Sequence, residues 1–302
     1  MKTEFKVTTK IIDNFKPADD ALTHVCISGN VIELRVMERS YSNLQHIHRI
    51  NRNEYVDTRT GEVKQYQYRH GENNRIRNMN RSFEKLRQLI NTNFIGAINE
   101  RHIVLTYAEK MTDFDKASKD FKRFWEKLHY HYIDLEFIRI IEPQRTGSWH
   151  IHVLLKSKKY GNLSIPHEQI EDIWGHGFVR KTTTIGCDNV GAYFTALLRN
   201  LDVFEDNSVE STDMKFILKN ARLQFYPPNK RFYGYSKGIV QPTRFKTTYK
   251  DALQFVDEKN LTYACATEIN LTYENPEENV TVNRIGRYQF NKKRIKYNPK
   301  KI

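Results

Sequence analysis

Residues 135–156 read LEFIRIIEPQRTGSWHIHVLLK. Two apolar runs of strand length, Leu135 to Glu142 and Ser148 to Lys156, flank Pro143 to Gly147, whose proline and glycine supply a turn, so the stretch predicts a β-hairpin. Side chains alternate across a strand, which puts His150 and His152 on one face about 7 Å apart. Glu142 closes the facing strand, a carboxylate at the end of a mostly apolar run.

The hairpin sits inside a regular alternation of strands and helices. Before it, His102 to Tyr107 (HIVLTY) reads as a strand. A helix over about 113–130 follows, with Thr112 and Asp115 as its capping signal and Phe114, Ala117, Phe121, Phe124, Trp125 and Leu128 on one side. After the hairpin come a short helix at Pro166 to Trp174, a strand at Gly177 to Thr183 and a helix at Asp188 to Leu201, with Asp188 or Asn189 near its cap. This order predicts an α+β fold: a ferredoxin-like or RRM-like split βαβ antiparallel sheet, helices on one face, with N- and C-terminal extensions. Upstream lie a strand at Val31 to Val36, a hairpin over 54–68 turning at Thr60 and Gly61, and a basic amphipathic helix from about Glu72 to Asn91. An acidic loop (Asp202, Glu205, Asp206, Glu210, Asp213) ends the alternation. Four segments are therefore expected: an accessory region 1–100, a split βαβ domain 101–202, a basic aromatic extension 203–283, and a basic tail 284–302.

The chain has 302 residues, a formal charge of +13 and a pI near 9.5. No window of about 18 apolar residues and no apolar leader occurs, which predicts a cytoplasmic chain with no membrane partner. Cys26, Cys187 and Cys265 are too few and too dispersed for a disulfide framework or a thiolate metal site. The positive balance points to a polyanion, nucleic acid first. It is concentrated: residues 214–250 hold nine Lys and Arg, no acid and eight aromatics, and residues 284–302 hold eight basic residues and no acid. Cations beside flat rings suit phosphate neutralisation and base stacking, though the same aromatics also suit a core.

Two imidazoles on one strand face, with Glu142 as an oxygen donor across the hairpin, suit a divalent cation with positions left open: Mn²⁺, Mg²⁺ or Zn²⁺. An H-x-H pair also suits the exposed face of an antiparallel sheet. Tyr193 lies in Val190-Gly191-Ala192-Tyr193-Phe194, on the last helix of the alternation. A phenolate can attack phosphorus bound to a Lewis acid. The same tyrosine also fits an ordinary core stripe with Val190, Phe194, Leu197 and Leu198.

The set HIVLTY, HIHVLL and GAYFTALL, in that order over about 100 residues, resembles the three motifs of the HUH endonucleases, closest to rolling-circle replication initiators (Rep proteins) of bacterial, Firmicute-type plasmids. The segment 221–242 (ARLQFYPPNKRFYGYSKGIVQP) is similar to their downstream region. The resemblance implies metal binding by His150 and His152 with Glu142 as third ligand, and Tyr193 as the nucleophile. It implies metal-dependent, site-specific nicking and rejoining of single-stranded or hairpin origin DNA through a 5′-phosphotyrosine, with host helicase and polymerase as further partners. Thr106 ends the first motif. The chain departs from the pattern at Ala196 and Leu197, where many single-tyrosine members carry a lysine. Arg180, Lys181 or Arg199 could take that role, and Arg222, Lys230, Arg231 and Lys237 are the expected DNA contacts of the extension. No P-loop occurs, and the phosphotyrosine conserves the bond energy without ATP. A relaxase with the same chemistry and a non-catalytic binder on an RRM-like sheet are the alternatives; the strands lack the RRM aromatics.

Overall fold

The computed structural model describes residues 5–39, 47–51, 53–58, 60–65, 72–144, 146–159, 161–199, 201–204, 215–218, 226–228, 230–273 and 280–293. In chain order the first strands are β1 (Phe5–Ile12), β2 (Leu22–Ser28), β3 (Val31–Met37), β4 (Ile47–Arg49), β5 (Glu54–Asp57) and β6 (Glu62–Gln65), followed by helix α1 (Glu72–Asn93). Next come β7 (Glu100–Leu105), α2 (Phe114–His131), β8 (Leu135–Pro143), β9 (Trp149–Ser157), α3 (His167–Trp174), β10 (Val179–Thr182) and α4 (Val190–Arg199). The remainder is β11 (Leu201–Phe204), β12 (Lys215–Leu218), β13 (Tyr233–Tyr235), β14 (Thr243–Thr248), α5 (Tyr249–Ala252), β15 (Leu261–Tyr273) and β16 (Val280–Asn291). No described helix is long and apolar enough to cross a membrane.

Contacts divide the chain into two units: residues 1–27, 31–74 and 243–302, and residues 28–30 and 75–242. The second unit is built on a five-stranded antiparallel sheet in the order β10-β7-β9-β8-β13. β7 and β8, joined by α2, run parallel with β9 between them, and β9 and β10, joined by α3, run parallel with β7 between them. Gly147, at φ 79, closes the β8–β9 turn, and the register sets Glu142 directly opposite His150. α2 starts at Asp113, not Thr112: the Asp113 carboxylate accepts from the backbone N–H groups of Asp115 and Lys116 at 2.9 and 3.0 Å. α3 ends on Gly175, at φ 62.

Helices on one face were expected; the sheet carries them on both. Phe121, Phe124 and Leu128 of α2 and Ile170 and Trp174 of α3 pack with Phe137, Ile141, Ile151 and Val153. Phe83, Leu86 and Ile90 of α1 and Val190, Phe194 and Leu198 of α4 pack with Ile138, Ile140 and Leu154, which alternate with the former set. The physical reason is that β8 and β9 are apolar on both sides, so each face needs cover.

In the other unit, a six-stranded sheet has the order β1-β15-β16-β3-β2-β14. Val25, Ile32, Leu34, Ala252 and Phe290 form its core. Strands from the first 40 residues thus interleave with strands from the last 60, where consecutive segments were expected. The basic tail is corrected in part: Arg284 to Asn291 lie in β16, and Arg284 pairs with Glu268 at 2.8 Å and Glu38 at 3.2 Å. Residues 294–302 lie outside the described residues, as does most of the acidic loop, whose flanks pair as β11 and β12. The three cysteines are free.

Candidate functional site

His150 and His152 project from β9 on the face shared with Leu154, the face that α1 and α4 cover. His152 is buried, 5% exposed, and His150 is half-buried. Burial, then the adjacent His152, holds His150 down to about 4, and burial alone holds His152 at about 4, so both are neutral at pH 7. The Gln144 side-chain amide fixes His150 by donating to Nδ1 at 2.9 Å. Glu142, 4% exposed, accepts from His152 Nε2 at 2.5 Å.

His102 on β7 joins them, a residue for which the motif reading assigned no role. Its Nε2 lies 3.1 Å from His152 Nδ1, and the two rings stack with centroids 5.3 Å apart. Its Nδ1 meets the Thr182 hydroxyl of β10 at 2.8 Å. Burial, then His152 and Arg180, keeps His102 at about 3. With neutral rings one set of protons satisfies the whole chain. Thr182 O–H donates to His102 Nδ1, His102 Nε2–H to His152 Nδ1, and His152 Nε2–H to Glu142. The sequence signal that could have found it is a histidine opening the otherwise apolar run HIVLTY.

α4 is seated on this face by close backbone approach. A Cβ on Gly191 would lie 2.3 Å from the Arg87 carbonyl oxygen and 2.7 Å from Asn91 Oδ1. Asn91 Oδ1 accepts from Gly191 N–H at 2.7 Å, and Asn91 Nδ2 donates to Asn189 Oδ1 at 2.9 Å. Asn189, the cap, accepts from Ala192 N–H at 3.0 Å. Phe194, 1% exposed, turns inward and meets His102 edge-on at 4.6 Å. Tyr193, by contrast, is 61% exposed, so it is not part of the buried stripe, and its ring stands 5.6 Å from that of Phe194. Tyr107 is the opposite case: buried, hydrogen-bonded to Asp120 at 3.2 Å, with a phenol that burial pushes well above its ordinary range.

The candidate DNA contacts are dispersed. Arg180 is exposed on β10 and lies close enough to His102 to influence its ring. Lys181 alternates to the other face and donates to the Ile165 carbonyl at 2.7 Å. Lys230 pairs with Asp115 at 2.7 Å. Arg231 lies over Tyr233 and Tyr235 at 5.5 and 5.2 Å. Lys237 is exposed in the turn after β13. Arg199 is the last residue of α4, its side chain outside the described set, and Arg222 lies outside the described residues. Of the aromatics in 214–250, Tyr226 and Phe232 are core, whereas Tyr235 is exposed.

The donor set suits a divalent cation when both rings carry their proton on Nδ1: His152 then donates to His102 Nε2 and His150 to the turned Gln144 amide, and both Nε2 lone pairs and the Glu142 carboxylate belong to one sheet face. As the side chains stand, no three His, Cys, Asp or Glu among the described residues converge in metal-holding geometry, and Glu142 and His152 bond to each other.

Residues 100–200, from β7 through α4, match a family model described as replication-associated protein ORF2. This segment is therefore similar to replication-associated proteins. No curated protein and no solved structure gives a significant match to the chain.

Proposed function

We propose that the chain initiates rolling-circle replication of a bacterial, Firmicute-type plasmid as an HUH endonuclease on a ferredoxin-like split βαβ sheet. One observation carries the reading. His150, His152 and Glu142 share a sheet face with α4, which buries Val190, Phe194 and Leu198 there while Tyr193 stays exposed. The match of residues 100–200 supports replication as the process served.

On this reading His150, His152 and Glu142 hold Mn²⁺ or Mg²⁺, which when bound polarises the scissile phosphate of single-stranded or hairpin origin DNA. The Tyr193 oxygen bonds to phosphorus and the P–O3′ bond breaks. The departing 3′-oxygen gains a proton for the one the phenol gives up. Attack by a 3′-OH on the 5′-phosphotyrosine reverses the exchange and rejoins the strand without ATP, while a host helicase separates the strands and a host polymerase extends the first 3′-OH. His102 holds the His152 ring in orientation. Arg180, beside the histidines, takes the phosphate-neutralising role that Ala196 and Leu197 leave open. Arg231, with Tyr233 and Tyr235 at the sheet edge, binds adjoining nucleotides by charge and stacking. Lys230 and Lys181 are engaged by Asp115 and the Ile165 carbonyl, and so contribute less.

The test is incubation with Mn²⁺ and single-stranded DNA from around the gene, followed by mass mapping of the covalent peptide. The adduct is expected on Tyr193, and Tyr193→Phe should abolish it while binding persists. An adduct on another residue, or adduct formation by Tyr193→Phe, sinks the assignment.

A further inference from the structure

One line across the six-stranded sheet is cationic on four neighbouring strands. Lys246 of β14 is directly opposite His24 of β2, and Arg35 of β3 is directly opposite Arg287 of β16. The two-residue turn Gly29–Asn30 joins β2 to β3 and sets His24 opposite Arg35. Directly opposed residues of antiparallel strands share a face. The four therefore project together, on the side away from Val25, Leu34 and Phe290, which pack with Ala252. Lys246, Arg35 and Arg287 are exposed and His24 is half-buried. Arg35 and Lys246, after burial, hold the His24 imidazole below its ordinary range, so the charges are within electrostatic reach of one another. Arg287 donates to the Thr267 hydroxyl at 3.0 Å, and Glu33 is the carboxylate one pair along the same face.

Like charges set directly opposite each other destabilise a sheet. With strands about 4.8 Å apart, the row extends about 14 Å. We propose that it is a docking surface for the phosphate backbone of duplex DNA. A double helix presents one charge per about 1.7 Å of its axis, so a rigid row of this length faces several phosphates at once. The stiffness of the duplex suits a straight row on a sheet. A single strand is held largely by stacking on aromatic rings, and the row contains none. The inference concerns this unit alone and stands whether or not the nicking reading holds.

The test uses the full chain with Arg35→Gln, Lys246→Gln and Arg287→Gln combined. Binding to a random-sequence duplex is followed by fluorescence anisotropy over a salt series. Removing three phosphate contacts makes the plot of log affinity against log salt shallower by about 2.7, at about 0.9 per contact. Binding of a single-stranded oligonucleotide of the same length changes little. The combination Arg35→Lys, Arg287→Lys and Lys246→Arg keeps the parent slope. Should the triple Gln variant lose its melting transition, each single substitution is read instead, at about 0.9. An unchanged duplex slope overturns the proposal. So does an equal loss on the single strand, or a loss confined to vesicles of anionic lipid.

Discussion

Replacing Gly191 by alanine has two effects of opposite sign. On an isolated helix the change stabilises by about 1 kcal/mol. Here the new Cβ would meet the Arg87 carbonyl oxygen at 2.3 Å and Asn91 Oδ1 at 2.7 Å. The first is helical backbone, and the second is held by its own bonds to Gly191 N–H and Asn189. Neither can yield without moving α4 away from α1. Such overpacking costs about 1–3 kcal/mol, and displacing the Asn91 carbonyl from Gly191 N–H costs about 1 kcal/mol more. The clash wins. Gly191→Ala should be less stable by about 1–3 kcal/mol, which lowers Tm by about 2–4 °C per kcal/mol for a unit of this size. Because α4 carries Tyr193, adduct formation with single-stranded DNA should fall more than DNA binding does. Calorimetric melting and a nicking assay on the same preparations read both effects. A variant that melts at or above the parent temperature and forms adduct at full yield refutes the close seating of α4.

For the metal reading, His102→Ala should lower Mn²⁺ affinity by about 10–100-fold in titration calorimetry, since it removes the partner that orients His152; unchanged affinity ends that role. Glu142→Ala should also weaken Mn²⁺ binding, and full retention would make another residue the third ligand. The histidines also fix the sign of a pH effect. His102, His150 and His152 titrate at about 3, 4 and 4 in the folded chain, against about 6.5 unfolded. The unfolded chain therefore binds more protons between about pH 6.5 and 4. The stability that neutral imidazoles confer is present above that window and is lost as pH falls, with a limiting slope of about 1.4 kcal/mol per unit per histidine. Urea midpoints at high and low pH should show the loss, and combining His102→Gln with His150→Gln should flatten it; an undiminished slope in that variant argues against the assignment.

Much of the unit built on the five-stranded sheet is legible in the order of residues. The β8–β9 hairpin follows from two apolar runs around Pro143 and Gly147, and its symmetric pairing sets Glu142 opposite His150. Periodicity also finds α1, α2, α3 and α4 to within a few residues. Two local readings needed the structure: the cap at Asp113, one residue past the expected threonine, and the exposure of Tyr193 within an apolar stripe. A helical stripe about 100° wide specifies a buried side but not its edge. Tyr193 stands just beyond that edge, where Phe194 turns in toward His102.

Local pattern was enough for most of the elements in this unit, for their order, for the pair His150 and His152 on one strand face, and for the two acid-free basic stretches. These follow from alternation, helical period and turn residues, which act over a few residues. Which strands meet depends instead on pairing between distant segments, and it emerged only with the folded chain. That pairing brought His102 and Thr182 to His152 across β7, β9 and β10. It put α1 and α4 on the face opposite α2 and α3. It also drew the start of the expected basic tail into β16, where Arg287 lies opposite Arg35. Long-range register is set by the burial of whole faces, and no short window of residues records it.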